Sequence, residues 1–161
     1  SLNHKSQSTS DRSETGISID FLVPMIGKYE EGSVPIPAFG VYAQPLRYLD
    51  YLIDGTIEAI VTSSSKSIYV VVPDPSRFAF HKLIVASKRS VVDSTKAAKD
   101  TTQAGILFEY LLENRPEDLD LAFEDLKIRG KGWVKNFGNG VKKMERESPE
   151  IAKRLNEQFL V

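Results

Sequence analysis

The sequence predicts an α+β fold, with a small, mostly antiparallel sheet in the first half followed by a helical bundle. Three observations predict this order. Apolar side chains occupy every second position of residues 17–23, which is the period of a β-strand. Residues 57–61 and 67–72 are rich in β-branched residues and flank a short polar turn. From residue 74 onward, apolar residues recur every three or four positions between helix start and stop signals.

Proline and glycine residues separate the predicted elements of the first half. Pro24 ends the first predicted strand. Residues 27–40 are dense in Gly and Pro, so we expect a long loop there. Residues 45–53 carry apolar side chains at helical spacing behind Pro45, which suits a first helical turn. We therefore expect a short helix between this loop and the two strands at 57–61 and 67–72.

The second half predicts a run of helices. Gly138-Asn139-Gly140 predicts a break between two of them. The expected helices run from about residue 75 to 89, from 93 or 94 to 114, from 116 to about 129, and from 149 onward.

The chain divides into three predicted regions. Residues 1–16 are rich in Ser and Thr and hold one large apolar residue, so we expect a disordered lead. Residues 17–73 carry the strands and residues 74–161 the helical bundle. Because a strongly apolar predicted strand follows directly after the polar residues 1–16, we expect the chain to be part of a longer protein.

Composition excludes several classes of site. The 161 residues are 41% hydrophobic and 27% charged, which is typical of an ordinary soluble domain. There is no cysteine, so disulfides and thiolate chemistry are excluded, and two histidines cannot form a multi-histidine metal site. No apolar run approaches the roughly 20 residues that span a membrane, and no secretory signal is visible. We expect a cytoplasmic protein without a membrane partner.

Asp20 is a candidate metal ligand. It lies mid-strand among bulky residues, a position that disfavours aspartate. Its face of the strand is either simply solvated, or Asp20 binds a cation such as magnesium, which prefers oxygen ligands.

A second candidate cluster lies on the first two long helices. Lys82 and Arg89 share one side of the first helix, where they either extend to water or contact a phosphate. Asp100 falls in the apolar stripe of the next helix, which is unfavourable unless it pairs with a cation. Its partner is Lys82 or Arg89. This pairing is either a structural salt bridge between helices or part of a polar functional site.

A basic segment follows at residues 127–146. Two aromatic residues, Trp133 and Phe137, lie within it, and cations with interleaved aromatics suit phosphate contact and base stacking. The same aromatics are also typical of a helix core. The basic residues, which we consider possible RNA contacts, are Lys127, Arg129, Lys131, Lys135, Lys142, Lys143 and Arg146.

Four blocks of the sequence form a recognisable set. They are Ile19-Asp20-Phe21-Leu22, residues 34–37 (VPIP), residues 43–52 (AQPLRYLDYL) and residues 77–86 (RFAFHKLIVA). As a set, which covers roughly residues 17–129, they resemble a bacterial family of nucleotidyltransferase-like proteins in the DNA polymerase beta superfamily. The Lys99-Asp100 pair is similar to a basic residue followed by Asp on a helix of related toxin-type nucleotidyltransferases.

The resemblance implies transfer of a nucleoside monophosphate from a nucleoside triphosphate (NTP) to an acceptor. It implies that Asp20 is the third metal-binding carboxylate of a magnesium site and that Lys82 contacts the triphosphate. Asp100 would either orient Lys82 or assist the acceptor. We assign Arg89 and Lys99 as further nucleotide-binding residues, although Lys99 points away from the stripe of Asp100 and is otherwise only surface charge. The acceptor and the nucleotide preference are open.

The sequence departs from that superfamily in one respect. Its members hold two metal ions with a Gly-Ser…Asp-x-Asp motif, which this sequence lacks. The motif either belongs to a preceding segment, or the protein is a degenerate relative. We expect the chain alone to be inactive. The alternatives are a non-catalytic module that binds RNA or an acidic protein through the basic segment, and a structural domain in which Lys82 and Asp100 only lock two helices.

Overall fold

The computed structural model describes residues 10–12, 18–27 and 32–160, and it confirms the α+β class. The strands are β1 (Ser10–Arg12), β2 (Ser18–Asp20), β3 (Leu22–Pro24), β4 (Val34–Ile36), β5 (Val41–Leu46), β6 (Thr56–Thr62) and β7 (Ser67–Pro73). The helices are α1 (Leu49–Ile53), α2 (Pro75–Lys88), α3 (Ser94–Asn114), α4 (Pro116–Ile128), α5 (Lys131–Met144) and α6 (Pro149–Phe159), with short 3₁₀ turns at Pro37–Phe39 and Val91–Asp93.

The chain forms two compact units, residues 1–50 and residues 51–161. In the first unit, β1 and β2 are antiparallel, with Ser10 opposite Asp20. A separate three-stranded sheet has the order β3-β5-β4, in which β3 runs parallel and β4 antiparallel to β5. None of the described helices is both long and apolar enough to cross a membrane.

The predicted strand at residues 17–23 is two strands in different sheets. β2 pairs with β1 and β3 pairs with β5, and the Phe21 carbonyl between them accepts a hydrogen bond from the Gln44 amide at 2.7 Å. Ile17 lies outside the described residues. β1 falls within residues 1–16, the segment predicted to be disordered. The other residues of that segment lie, like Ile17, outside the described residues. The three-region division of the chain stays a prediction.

Two further predictions in the first unit were wrong. The expected loop at residues 27–40 contains β4, which pairs with β5. The helix expected from Pro45 begins only at Leu49, because Pro45 belongs to β5 and lies opposite Val23 in the parallel ladder. A proline in a strand lacks an amide donor but can still accept a hydrogen bond through its carbonyl. Residues 45 and 46 therefore pair with β3, although their apolar spacing favours a helix.

In the second unit, β6 and β7 form the predicted antiparallel hairpin, with Ile57 opposite Val72 and Val61 opposite Ile68. α2 follows directly. Asp74 caps its first turn, because the Asp74 carboxylate accepts hydrogen bonds from the Ser76 and Arg77 amides at 2.8 and 3.4 Å.

One phenylalanine from each long helix forms the centre of the bundle. The Phe80 ring on α2 lies 4.9–5.8 Å from the rings of all four others. Each is at most 8% exposed, so burial of these rings is a main source of bundle stability. The rings belong to Phe80, Phe108, Phe123, Phe137 and Phe159.

The helix break predicted at Gly138-Asn139-Gly140 was wrong, because α5 runs through it without interruption. The reason is packing between α5 and α2. A Cβ atom on Gly140 would lie 2.2 Å from the Leu83 carbonyl oxygen, so only glycine permits this approach of the two helices. The glycines mark a close helix contact instead of a turn.

Candidate functional site

The structure pairs Asp100 with both candidate cations. Lys82 Nζ donates to Asp100 Oδ1 at 2.9 Å, and Arg89 Nε donates to Asp100 Oδ2 at 2.6 Å. Asp100 is 4% exposed, and its two carboxylate oxygens are thus each held by a different cation. We call these three residues the Asp100 cluster.

Helix geometry explains why the cluster forms. Lys82 lies on α2, and Arg89, seven residues later, caps the C-terminal end of that helix. The pair lies against α3, which packs on α2. Asp100 lies in the buried stripe of α3 with Ala97 and Ala104, as predicted. A carboxylate at this depth is tolerated because it is paired and hydrogen-bonded.

The Asp100 cluster carries a surplus positive charge. Two cations and one carboxylate give a sum of +1. The side chains of Lys82 and Arg89 are 20% and 28% exposed, so each retains access to solvent. An ammonium has three donors and a guanidinium five, which leaves donors for an anion after the bonds to Asp100 are made.

A cleft of about 510 Å³ adjoins the cluster at Arg89. We call it the α3 cleft, because the first two turns of α3 form one of its walls. Four cations and one carboxylate line it, giving a sum of +3. Its lining residues are Arg89, Ser90, Val91, Ser94, Ala97, Ala98, Thr101, Lys142, Lys143, Arg146 and Glu147.

Lys143 joins the two helices that flank the α3 cleft. Its ammonium donates to the carbonyls of Ala86 and Arg89 at 2.8 and 3.1 Å. These carbonyls end α2, so a lysine there satisfies terminal acceptors of the helix and complements the negative end of its dipole. The contact fixes the end of α5 beside Arg89.

Glu147 is the acidic residue of the α3 cleft. The hydroxyls of Thr101 and Thr102 lie 2.7 and 3.1 Å from Glu147 Oε2. The carboxylate is thereby held against the wall formed by α3. The cleft thus combines four cations with one carboxylate of fixed position.

The remaining predicted site residues are Asp20 and Lys99. Asp20 is exposed in β2, within the first unit. Lys99 is exposed on α3 and points away from the buried stripe that holds Asp100, as its position predicts.

The described residues do not fit a metal site by themselves. Among residues 10–12, 18–27 and 32–160, no three His, Cys, Asp or Glu side chains lie close enough together to hold a metal ion. Both oxygens of Asp100 are engaged by cations, which a metal ion would have to displace. Asp20 alone supplies one carboxylate.

The basic segment 127–146 is divided between several environments. Lys127 pairs with Glu124 at 2.8 Å, and Arg129 pairs with Asp125 at 3.3 Å. Phe137 is fully buried in the bundle, so it cannot stack on a base. Lys131 and Lys135 are exposed on the first half of α5, whereas Lys142, Lys143 and Arg146 line the α3 cleft.

Sequence reasoning did not bring Arg89 together with the end of the basic segment. It also missed Ser90, Ser94 and Glu147 as cleft residues. The available signal was the short polar connection between α2 and α3, which must place the end of one helix beside the start of the next. The contact with α5 depends on Gly140, for which the sequence predicts a helix break.

Comparison with protein families matches residues 1–127 to a nucleotidyltransferase family. Since this match covers most of the chain, the protein belongs to that family. No curated protein and no solved structure matches it. Family membership implies nucleotidyl transfer and an NTP substrate, and members of the family generally use divalent metals.

Proposed function

We propose that the Asp100 cluster binds the triphosphate of an NTP in a nucleotidyltransferase that moves a nucleoside monophosphate to an acceptor. The observation that carries this proposal is the surplus charge of the cluster. Two partly exposed cations share one buried carboxylate, so an anionic phosphate completes the set of partners. Family membership supplies the reaction class.

Each member of the cluster has a distinct proposed role. Lys82 and Arg89 contact phosphate oxygens. Asp100 is a positioning residue, because it holds both cations and touches no phosphate itself. Lys99, exposed on the same helix, provides a further contact to the nucleotide.

Asp20 is proposed as one ligand of a divalent metal, with magnesium favoured because it prefers carboxylate oxygens. The paired carboxylates that complete such a site would come from residues outside this sequence, since the Gly-Ser…Asp-x-Asp motif is missing from it. We accordingly expect this chain alone to be inactive in transfer. Membership in the DNA polymerase beta superfamily, a bacterial origin and a cytoplasmic location belong to the same proposal.

Calorimetric titration of the 161-residue chain with ATP, GTP, CTP and UTP tests the role of Lys82. Lys82→Gln removes the surplus charge but leaves Asp100 paired with Arg89, so the fold is retained. We expect it to weaken NTP binding about tenfold or more, which corresponds to the loss of one charge-assisted hydrogen bond. Lys96→Gln is the matched control, since Lys96 is 70% exposed and lies on the same helix as Asp100.

Equal affinities for the Lys82→Gln variant and the unaltered chain would contradict the proposal. A Lys99→Gln variant tests the further contact separately, and we expect a smaller loss because Lys99 is exposed. Robust metal-dependent nucleotide transfer by this chain alone would show that the missing carboxylates are not needed.

A further inference from the structure

We propose that the α3 cleft binds a nucleoside phosphate, carried either by the end of a nucleic-acid strand or by a free nucleotide. The site is distinct from the Lys82 side of the Asp100 cluster, because neither Lys82 nor Asp100 lines the cleft. It therefore goes beyond binding of the NTP triphosphate. The two sites meet only at Arg89.

Charge is the first argument. The lining of the α3 cleft sums to +3, although the whole chain has a net charge of −1. Lys142 and Arg146 have no ion pair or hydrogen bond within the part of the chain that the structure describes. Free cations on one wall of a concave site attract an anionic ligand and gain energy when a phosphate replaces their counterions.

Shape and the apolar wall are the second argument. A volume of about 510 Å³ lies in the range of small-ligand sites, well above what one phosphate ion fills. Val91, Ala97 and Ala98 form an apolar part of the lining. Val91 is 91% exposed, which leaves its side chain open to contact with a flat ring. A ligand with a phosphate and an apolar ring face fits both walls.

Glu147 orients this ligand. A carboxylate repels phosphate and accepts hydrogen bonds from hydroxyl or amino groups. The phosphate therefore lies toward Arg89, Lys142 and Arg146. The ribose hydroxyls or the amino groups of the base lie toward Glu147.

Binding to the full 161-residue chain can be measured by fluorescence anisotropy with a labelled single-stranded RNA of about six nucleotides. Unlabelled AMP and inorganic phosphate serve as competitors. The test variant is Lys142→Glu/Arg146→Glu. The matched control is Lys131→Glu/Lys135→Glu, which makes the same change of charge on α5 but outside the cleft.

We expect the cleft variant to weaken RNA binding about tenfold or more, and the control variant to change it less than about threefold. The dependence of log affinity on log salt should flatten by about 1.4 units in the cleft variant, because two phosphate contacts are lost at about 0.7 each for a single strand. AMP should compete at much lower concentration than inorganic phosphate. RNA binding that is tighter than AMP binding identifies a strand as the source, and the reverse identifies a free nucleotide.

Equal losses in the two double variants would overturn the proposal, since they would show diffuse attraction to the basic segment. Competition by inorganic phosphate as strong as that by AMP would also overturn it, as would equally tight binding of a polyglutamate peptide. The Lys82→Gln variant separates the two proposals. It should keep RNA binding while losing NTP binding, whereas the cleft variant should show the reverse.

Discussion

Two carboxylates in the helical unit each lie between two cations, but their surroundings differ. Asp125 pairs with Arg77 at 2.8 Å and with Arg129 at 3.3 Å, much as Asp100 pairs with Lys82 and Arg89. Arg129 also pairs with a second carboxylate, that of Asp54. We call these four residues the Asp125 cluster.

The difference is one of charge balance and burial. The Asp125 cluster has two cations and two carboxylates, which sum to zero, whereas the Asp100 cluster sums to +1. The side chain of Asp125 is 31% exposed, against 6% for Asp100. Both guanidinium groups of the Asp125 cluster also lie about 5 Å from the Tyr51 ring, at 5.0 and 5.2 Å. Within the Asp125 cluster, each guanidinium is matched by a carboxylate, whereas the Asp100 cluster retains capacity for an anion.

The largest expected effect is the loss of the buried carboxylate. Asp100→Ala should lower the free energy of unfolding by about 3 kcal/mol, because it leaves two cations without their shared partner. Asp125→Ala should lower it by about 1 kcal/mol, because that carboxylate is more exposed. Urea unfolding followed by circular dichroism measures both values, with Glu113→Ala, at an exposed position of α3, as the control. Similar decreases in the free energy of unfolding for the two variants would contradict the proposed difference between the clusters.

The second prediction concerns the contact that brings α5 to the Asp100 side of the bundle. Gly140→Ala should lower the free energy of unfolding by about 2 kcal/mol, since its Cβ would meet the backbone of Leu83. Gly138→Ala is the control. Its Cβ would lie 3.5 Å from the flexible Leu160 side chain, so the helix propensity of alanine should leave stability equal or higher.

The same two variants distinguish the clusters functionally. Displacement of α5 in Gly140→Ala should weaken the RNA binding proposed for the α3 cleft, while the Asp125 cluster stays intact. Unchanged stability and unchanged binding in this variant would mean that α5 does not approach α2 as closely as described.

The smallest expected effect tests the Asp125 side through Tyr51. Its buried hydroxyl donates to the Ala122 carbonyl at 2.9 Å. Burial raises the pKa of this hydroxyl well above its ordinary value of 10.0, and the nearby Arg77 guanidinium opposes that shift. Because the folded state retains the proton more strongly than the unfolded state, stability should be constant below pH 10 and fall as the pH rises above it.

Tyr51→Phe should lower the free energy of unfolding by about 1 kcal/mol at neutral pH, through loss of the hydrogen bond. It should also flatten the decline in stability above pH 10. Urea midpoints measured from pH 7 to 11 give both quantities. A decline as steep in the variant as in the unaltered chain would exclude Tyr51 as its source.

The helical half of the fold was predictable because its signals are local. Pro116 and Pro149 start helices where the sequence indicates, and Asp100 lies in the buried stripe as its spacing predicts. The sheet residues were less predictable, because pairing partners decide them. Pro45 joined a strand through pairing with β3, although its local sequence favours a helix.

The candidate site was half predictable for the same reason. Helical periodicity placed Lys82, Arg89 and Asp100 near one another, but it could not decide which cation would pair with the carboxylate. It also could not bring Lys142 to Arg89, since that contact depends on the packing of α5 against α2. A glycine permits that packing, and glycine spacing alone does not distinguish a close helix contact from a break.

The Gly140 contact also has a mechanical consequence. No side chain of Gly140 separates the α5 backbone from the Leu83 carbonyl, and Leu83 is the residue next to Lys82. Most helix pairs absorb small displacements by changes of side-chain rotamer. At this contact the α5 residue is Gly140, which has no side chain that could adjust. A displacement of α5 toward α2 would meet backbone atoms directly, so the two helices form a rigid pair at this point.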